Sequence, residues 1–442
     1  MTTTRQRPWR PRSLLRTTIL PAAIMLLLPP SVGLIWYTHT RLEGSVVRLA
    51  QWFATAGPGA VLEQVWGPII FGSPAAWAMI GIFAVLELLL LRLLPGRLSE
   101  GATTPAGEVL VHKANGIAAF AVTIAFFLLC SFGLKLFSPT IIYDHFGELI
   151  GALNLVGIGL CLGLYLKGRY APSGPDHGLS GNPIFDYYWG TELHPRIAGC
   201  NVKVFISCRF GMMGWALILL SFAAKQYAIY GALSDAMTVA VALQLIYIAK
   251  FFWWETGYLR TLDMAHDRAG FYICWGCLVW LPSIYTASTL YLVDHPHHLG
   301  AAVAAVLLLV GCGAILVNYL ADAQRQGVRR TDGRMTVWGK APVLIRAHYT
   351  TALGETGTNI LLASGWWGLA RHFHYGPELA AAVAWTLPVL FDRSLPWLYV
   401  AFLAILLIHR AWRDDERCAA KYGADWDAYC MRVPYRIIPG LI

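Results

Sequence analysis

The sequence predicts an all-α, polytopic membrane protein of about ten transmembrane helices. Hydrophobic residues make up 57% of the 442 residues and charged residues only 13%, whereas a soluble domain is about 45–50% apolar and about 25% charged. The apolar residues are gathered in runs of about 20, the length that a helix needs to cross a hydrocarbon core of about 30 Å. Such a surplus of apolar surface needs lipid to cover it.

Ten apolar runs are the candidate transmembrane helices. The first follows a basic segment but has no clear small-residue cleavage site, so we interpret it as a retained span rather than a signal peptide. The ninth run is preceded by further apolar residues, 360–373. A re-entrant or buried segment is therefore an alternative to a ninth span. In chain order the spans are expected at residues 17–38, 74–95, 117–137, 147–166, 210–231, 234–254, 271–293, 299–321, 376–391 and 395–409.

The distribution of lysine and arginine orients these spans. Five arginines lie within residues 5–16, before the first span, which places the N-terminus in the cytoplasm under the positive-inside rule. Counting from there, 27 basic residues fall on the cytoplasmic face and five on the other. Both termini are therefore predicted to be cytoplasmic, and the polar segments 167–209, 322–358 and 410–442 share that face.

The composition argues against other classes of protein. The net charge of +9 does not indicate nucleic-acid binding, because the basic residues lie between apolar runs rather than along one stripe. We expect no metal site: Cys274 and Cys277 stand in an apolar run with no second pair nearby, and residues 295–298 fit a short polar hairpin. The membrane would be the endoplasmic reticulum in a eukaryote or the inner membrane in a bacterium, and the oligomeric state stays open.

Ionisable residues within or beside apolar runs are concentrated near the C-terminus. Such residues are costly in a membrane and by default indicate a functional site. Two interpretations stay open here, namely interfacial anchoring by long cations and tyrosines, or a site for a phosphorylated cofactor beside an apolar substrate. The residues are Arg371, His372, His374, Tyr375, Glu378, His409, Arg410, Arg413, Asp414, Asp415, Lys421, Tyr422 and Tyr429.

A second basic group precedes them, at Arg325, Arg329, Arg330 and Arg334. Guanidinium groups bind phosphates through paired hydrogen bonds, so the group either clamps a phosphate or is a positive-inside loop. The chain has no Gly-x-Gly-x-x-Gly turn after a strand and no Walker loop, so any nucleotide site is of a non-Rossmann kind.

Three long stretches carry a resemblance to a known family. They are residues 181–197 (GNPIFDYYWGTELHPRI), residues 361–372 (LLASGWWGLARH), and the spaced residues of 409–439 that end in VPYRIIP. On these residues the chain resembles the sterol reductase family, which includes sterol Δ14-reductase, the lamin B receptor membrane domain and 7-dehydrocholesterol reductase.

Within that family the chain is most similar to the Δ7-reductase branch, through residues 113–116 (KANG), 137–142 (FSPTII), 221–226 (SFAAKQ) and 329–333 (RRTDG). The resemblance begins near residue 110. We therefore divide the chain into N-terminal spans, 1–110, and a sterol-reductase-like membrane domain, 111–442, with a C-terminal NADPH pocket.

The resemblance implies reduction of a carbon–carbon double bond in a sterol, most similar to Δ7 reduction in sterol biosynthesis, with NADPH as the cofactor. Membrane lipid and the sterol substrate are the implied partners. The positions that match the family's cofactor-binding residues are Arg325, Arg329, Leu362, Trp367, His374, Tyr375, Asp414, Cys418, Lys421, Tyr422 and Tyr429.

The chain departs from the family pattern at three positions near the implied site. His374 replaces an asparagine, and Lys250 and Cys277 each replace an aspartate. These changes leave alternatives open, namely Δ14 or Δ24 reduction, or a sterol-binding protein that has lost catalysis. A membrane methyltransferase for lipid or isoprenylated substrates is a further rival, against which the block 182–197 argues.

The expected chemistry is protonation of the sterol alkene followed by hydride delivery to the carbocation. Asp414 is the first candidate for the acid, because a carboxyl in a low-dielectric cleft can keep its proton near neutral pH. Tyr247, which matches a family tyrosine, is the second. The rings of Trp275, Trp280 and Tyr285 either stabilise a passing cation or pack against lipid.

Overall fold

The computed structural model describes residues 13–441, except 105, 351–353 and 355. Nine helices among the described residues are long and apolar enough to cross a membrane, which confirms the predicted all-α, polytopic membrane fold. Arg5, Arg7, Arg10 and Arg12, on which the predicted orientation partly depends, lie outside the described residues.

The long helices follow the order of the predicted spans. Several helices are longer than the apolar runs from which they were predicted, because their last turns extend beyond the apolar residues. The nine are α1 (Leu15–Arg41), α2 (Pro74–Leu93), α3 (Gly116–Gly133), α4 (Phe146–Tyr170), α5 (Val202–Tyr230), α6 (Asp235–Trp253), α7 (Phe271–Asp294), α8 (Ala301–Arg330) and α10 (Leu395–Tyr422).

The predicted ninth span is a shorter helix, α9 (Tyr375–Thr386), of 12 residues. A helix needs about 20 residues to span the hydrocarbon core, so the count of long spans is nine rather than ten among the described residues. The 3₁₀ turn Leu387–Val389 follows α9. Trp385 at the end of α9 is fully buried, so protein surrounds this segment, and irregular backbone is tolerated at membrane depth under that condition.

Three antiparallel hairpins lie between the helices and were not predicted. The third one contributes to the candidate site, with Leu344 paired to Leu362 at its open end and Thr350 paired to Thr356 next to its loop. The strands are β1 (Arg97–Thr103), β2 (Val109–Ala114), β3 (Arg196–Ile197), β4 (Cys200–Asn201), β5 (Leu344–Thr350) and β6 (Thr356–Leu362).

Short helices fill the remaining connections and cap the bundle. The last of them, α11 (Ala424–Arg432), follows α10 directly and packs against β5. The others are Val46–Ala56, Val61–Trp66, Ile141–Asp144, Pro183–Trp189, Glu255–Tyr258, Leu262–Ala265 and Trp366–Leu369.

Side-chain contacts between loops define the two ends of the bundle. At one end, Asn182 Nδ2 donates to Thr18 Oγ1 at 2.7 Å, which joins the segment after α4 to the start of α1. At the same end, Arg413 Nη2 donates to Asp267 Oδ2 at 2.7 Å, which joins α10 to the segment after α6. The start of α1 and the end of α10 therefore share a face.

The opposite end is defined in the same way. Tyr143 Oη donates to Asp294 Oδ2 at 3.0 Å, which joins the loop after α3 to the end of α7. Arg393 Nε donates to the Glu43 carbonyl at 3.2 Å, which joins the segment after α9 to the end of α1. The chain thus crosses the bundle between α8 and α10 even though α9 is short. Which end is cytoplasmic stays a prediction.

An aromatic cluster occupies the middle of the bundle. Trp215 of α5 lies 5.3 Å from the ring of Tyr285 in α7, and Tyr285 lies 4.4 Å from Tyr399 in α10. Trp385 of α9 stacks on Tyr399 at 5.9 Å, and Tyr247 of α6 lies 5.3 Å from Trp385. Five helices therefore meet around rings, which bury large apolar areas in fixed geometry.

Candidate active site

The predicted cofactor residues converge from several elements at the end of the bundle that holds the C-terminus. Residues far apart in sequence meet there because α8, β6, α9, α10 and α11 all end or begin at this face. Arg325 and Arg329 come from α8, Leu362 from β6, Trp367 from the helix Trp366–Leu369, His374 and Tyr375 from the start of α9, Asp414, Cys418, Lys421 and Tyr422 from α10, and Tyr429 from α11.

A guanidinium and three aromatic rings lie next to each other in one row. Arg325 Cζ lies 3.8 Å from the centroid of the Trp367 ring, which is a close cation–π contact. Trp367 Nε1 donates to the Ala321 carbonyl at 2.7 Å and so fixes this ring on α8. The ring of His374 lies 5.0 Å from Trp367 and 4.3 Å from Tyr375.

The turn between β6 and Trp367 explains why glycine occurs there. Gly365 has a φ of +62°, and a Cβ at this position would lie 2.2 Å from Gln324 Oε1. The same oxygen accepts a hydrogen bond from the Trp366 N–H at 3.0 Å. The close approach of the turn to α8 therefore places Trp367 over Arg325.

The hairpin supports the second arginine. Arg329 Nε donates to the Ile360 carbonyl of β6 at 3.1 Å, and the two terminal nitrogens have no hydrogen-bond partner among the described residues. Leu362 packs with Val328 and Trp367 in a small buried cluster behind this contact. Two N–H-bearing nitrogens of Arg329 therefore remain available for an anion.

The ends of α10 and α11 supply the opposite side of the site. Cys418, Tyr422 and Tyr429 are buried together in one apolar cluster. Tyr429 Oη donates to the Trp367 carbonyl at 3.3 Å, which links this cluster to the row of rings. Burial raises the pKa of Tyr429 above its usual range, so its hydroxyl stays a neutral donor.

Lys421 lies at the outer edge of this side. Its Nζ is 3.9 Å from the centroid of the Tyr349 ring and 5.1 Å from that of Tyr422. Asn359 Nδ2 donates to Tyr422 Oη at 3.0 Å, which ties the hairpin to α10. The site therefore has cations on two sides and aromatic rings between them.

Asp414 faces the site but is bound to arginine. Arg417 donates to Asp414 Oδ1 from Nη2 at 2.6 Å and from Nε at 3.1 Å. The other oxygen, Oδ2, lies 3.9 Å from His372 Nε2, which is too far for a hydrogen bond. Burial and then Arg417 lower the pKa of His266 to about 3, so its neutral Nε2 accepts from Arg417 Nη1.

Its neighbour Asp415 has a different role. Arg371 donates to both oxygens of Asp415, at 3.2 and 3.1 Å, and Arg436 Nε donates at 2.6 Å. Arg371 also donates to the carbonyls of Val433 and Pro434, at 2.7 and 3.0 Å. Asp415 and Arg371 therefore fasten the C-terminal segment to α10.

Two arginines of the C-terminal ionisable group, Arg410 and Arg413, bind acidic residues outside that group. Arg413 Nη2 donates to both oxygens of Asp267, at 2.8 and 2.7 Å. Arg410 forms an ion pair with Asp263. Both side chains therefore bind carboxylates of the segment after α6.

Tyr247 lies deeper in the bundle, in a polar network that the sequence did not reveal. Its hydroxyl donates to Glu378 Oε1 of α9. Asn318 Nδ2 of α8 donates to Glu378 Oε2 at 2.8 Å and to the His374 carbonyl at 2.9 Å. Lys250 Nζ donates to Asn318 Oδ1 at 2.6 Å. The sequence signal for Glu378 was an acidic residue four positions after His374 in an otherwise apolar helix.

The three rings expected near a cation differ in their surroundings. Trp275 is buried, stacks on Phe271 at 4.7 Å and donates from Nε1 to Asn154 Oδ1 at 2.9 Å, so it packs inside the bundle and does not face lipid. Tyr285 belongs to the central aromatic cluster. Trp280 packs on Phe402 at 5.4 Å.

The residues present fit a phosphorylated nicotinamide dinucleotide. Among the described residues, the buried nitrogens His372 Nε2 and His374 Nδ1 have no hydrogen-bond partner, and such groups are costly unless a ligand or water satisfies them. The free nitrogens of Arg329 suit a phosphate. A cavity of about 480 Å³ on the far side of α10, lined by Asp415 and Trp426 among others, contains none of the predicted cofactor residues.

Comparison with known proteins identifies relatives along almost the whole chain. Residues 45–442 match the family described as "Ergosterol biosynthesis ERG4/ERG24 family". The chain is 50% identical over 421 residues to the 7-dehydrocholesterol reductase of Arabidopsis thaliana, covering 95% of this chain and 96% of the relative.

Two further relatives extend the comparison. The 7-dehydrocholesterol reductase of Xenopus laevis is 38% identical, with 83% of this chain and 79% of the relative aligned. The Delta(14)-sterol reductase of Methylotuvimicrobium alcaliphilum is 34% identical, with 94% of this chain and 93% of the relative aligned. This protein therefore belongs to the ERG4/ERG24 sterol reductase family and is an oxidoreductase that acts on CH–CH groups.

Proposed function

We propose that this protein uses NADPH to saturate the Δ7 double bond of a sterol. The main support for the proposal is a chain of hydrogen bonds between the predicted cofactor residues and Tyr247. Asn318 bonds both to the His374 carbonyl, in the predicted cofactor group, and to Glu378, the partner of the Tyr247 hydroxyl. The 50% identity to a 7-dehydrocholesterol reductase supports the choice of Δ7.

The cofactor residues divide into two functions. Arg325, Arg329 and Lys421 provide positive charge for the phosphates, while Trp367 and the unpartnered nitrogen of His374 provide a face and a hydrogen-bonding group for the nicotinamide. NADPH, when bound, supplies a hydride. The protein's part is to hold this group in place and to keep water from the reacting carbon.

Tyr247 is our choice for the proton donor. Its ring lies 5.3 Å from that of Trp385 in the central aromatic cluster, so its hydroxyl is inside the transmembrane bundle, where a membrane-embedded substrate would bind. Asp414 instead accepts two hydrogen bonds from Arg417, an arrangement that holds a carboxylate ionised. Asp414 is therefore better suited to positioning cofactor-binding groups than to giving up a proton.

The test is turnover by purified protein in lipid. The protein is incubated with NADPH and a panel of sterols that carry a single reducible double bond at Δ7, Δ14 or Δ24, and products are read by mass spectrometry. We expect reduction at Δ7. Reduction only at Δ14, which the 34% identical relative makes the second candidate, would replace the Δ7 assignment, and the absence of any reduced sterol would reject the proposal.

A further inference from the structure

Four polar side chains form one hydrogen-bonded group inside the transmembrane bundle, which we name the Glu378 network. It consists of Tyr247 and Lys250 on α6, Asn318 on α8 and Glu378 on α9. Each oxygen of the Glu378 carboxyl has one partner, the Tyr247 hydroxyl on Oε1 and the Asn318 amide on Oε2. The network therefore joins three helices through one carboxyl group.

Glu378 is surrounded by a helix N-terminus, one lysine and several tyrosines. Its backbone N–H donates to the His374 carbonyl at 3.1 Å, so it lies in the first turn of α9, where the helix dipole favours negative charge. The titratable groups around it are Lys250 and Tyr247 on α6, Tyr285 on α7 and Tyr399 on α10. Lys250 is the only cation in this network.

A contact that only held the helices together would not need a glutamate and a lysine. Ionisable groups inside a membrane protein are costly and by default indicate function, and neutral amides or hydroxyls would hold α6, α8 and α9 together at lower cost. Here the carboxyl bonds directly to the hydroxyl that we assign as the proton donor. Lys250 reaches the carboxyl only through Asn318, which keeps a cation near Glu378 without binding it.

We propose that Glu378 is the positioning residue that directs the Tyr247 hydroxyl and returns its proton after each turnover. The inference depends on the proposed function. In the reaction, the Tyr247 O–H bond breaks as the alkene π electrons form a new C–H bond, and the carbocation takes the hydride that NADPH supplies. The Tyr247 phenolate then takes the proton of the Glu378 carboxyl, and Glu378 regains a proton from water. One proton and one hydride are consumed for each double bond.

The direction of one hydrogen bond controls this step. When Glu378 is ionised, the Tyr247 hydroxyl donates to it and the phenolic hydrogen is directed away from substrate. When Glu378 is protonated, the carboxyl donates to Tyr247 Oη and the phenolic hydrogen is free for the alkene. Proton transfer to the alkene therefore needs the protonated Glu378 carboxyl.

The experiment compares Glu378→Gln with Glu378→Asp. Glutamine can donate to Tyr247 but cannot return a proton, so kcat should fall about 10²-fold, the usual scale of a lost acid–base group. Glu378→Asp keeps a carboxyl that can return the proton, so its kcat should lie well above that of Glu378→Gln. NADPH binding, followed by fluorescence titration without sterol, should match that of the parent protein in both variants.

The control is Glu63→Gln, because Glu63 is exposed and makes no hydrogen bond or ion pair among the described residues. Parent-level kcat in Glu378→Gln would overturn the inference while the proposed function stands. Weaker NADPH binding together with a lower unfolding temperature in both Glu378 variants would show a structural tie and would also overturn it. A parent protein that reduces no sterol would reject the proposed function and this inference together.

Discussion

Arg329 brings two unpartnered guanidinium nitrogens to the cofactor residues. Its remaining nitrogen is fixed by the Ile360 carbonyl at 3.1 Å, so the side chain is held in place by the hairpin before any ligand arrives. A preorganised guanidinium loses little freedom on binding a phosphate. The residue is therefore well placed to recognise the additional phosphate that distinguishes NADPH from NADH.

We expect Arg329→Ala to weaken NADPH binding by about 1.5–3 kcal/mol, the usual scale for a hydrogen bond to a charged group. NADH binding should change much less, because it lacks the phosphate. Fluorescence titration of both nucleotides measures the difference. Arg330→Ala is the matched control, since Arg330 is the next residue, is exposed and has no partner among the described residues. Equal weakening for NADPH and NADH would show that Arg329 does not bind that phosphate.

Tyr247 and Asp414 can be separated by their effects on turnover and binding. Tyr247→Phe removes only the hydroxyl, so we expect turnover to fall by roughly 10²–10⁴ while NADPH affinity stays nearly constant. Asp414→Asn breaks the contact with Arg417 and should mainly weaken NADPH binding. Glu416→Gln is the control, because Glu416 is exposed on the same helix. The reverse pattern would make Asp414 the acid, as the sequence alone predicted.

At the scale of elements, the position of the site depends on a helix that is too short to span the membrane. The helix α9 has only 12 residues, and its start contacts Asn318, 12 residues before the end of α8, so α9 begins below that end of α8. The predicted cofactor residue His374 and the membrane-embedded Glu378 therefore lie about one helical turn apart at the start of α9. A full-length helix would separate them.

Packing of α4 against the segment before α2 gives a prediction on stability. A Cβ at Gly151 would lie 1.7 Å from the Ile69 carbonyl oxygen, a backbone atom that cannot move aside cheaply. We expect Gly151→Ala to destabilise the protein by about 3 kcal/mol, at the upper end for overpacked sites, and to lower its unfolding temperature in detergent.

The same helix offers a matched control. A Cβ at Gly159 would meet no atom within 4 Å, and this residue is exposed, so Gly159→Ala should be neutral or slightly stabilising through helix propensity. Similar unfolding temperatures for both variants would mean that α4 does not pack against Ile69 as described.

At the scale of the whole molecule, the two ends of the bundle are chemically different. One end holds the start of α1, the hairpins and the C-terminal site, and the other holds Glu43, Asp294 and Arg393. The basic residues concentrate at the first end, and positive residues favour the cytoplasmic side. We therefore propose that both termini and the cofactor residues face the cytoplasm.

Cysteine labelling in sealed vesicles tests this orientation. In a background without accessible native cysteines, Tyr435→Cys should react only from the cytoplasmic side and His298→Cys only from the other, because both positions are exposed and lie at opposite ends. Labelling of Tyr435→Cys only from the non-cytoplasmic side would reverse the orientation. Labelling of both from one side would contradict the fold.

Apolar runs and spaced motifs are local properties of the chain, so they were enough to predict the membrane class, the order of the long helices and a set of candidate cofactor residues. It placed Arg325, Trp367, His374 and Tyr429 in one group, and the structure brings their side chains together. It did not predict the hairpins, since short strands outside the membrane leave no strong periodic signal.

The partners of the ionisable residues could not be predicted, because they depend on tertiary packing. Asp414 and Asp415 are neighbours in sequence, yet one is bound to Arg417 on its own helix and the other to Arg371 and Arg436. Lys250 and Glu378 lie on different helices and meet only through Asn318 of a third. Such pairings depend on how helices rotate and pack against each other, and residues distant in sequence determine that rotation.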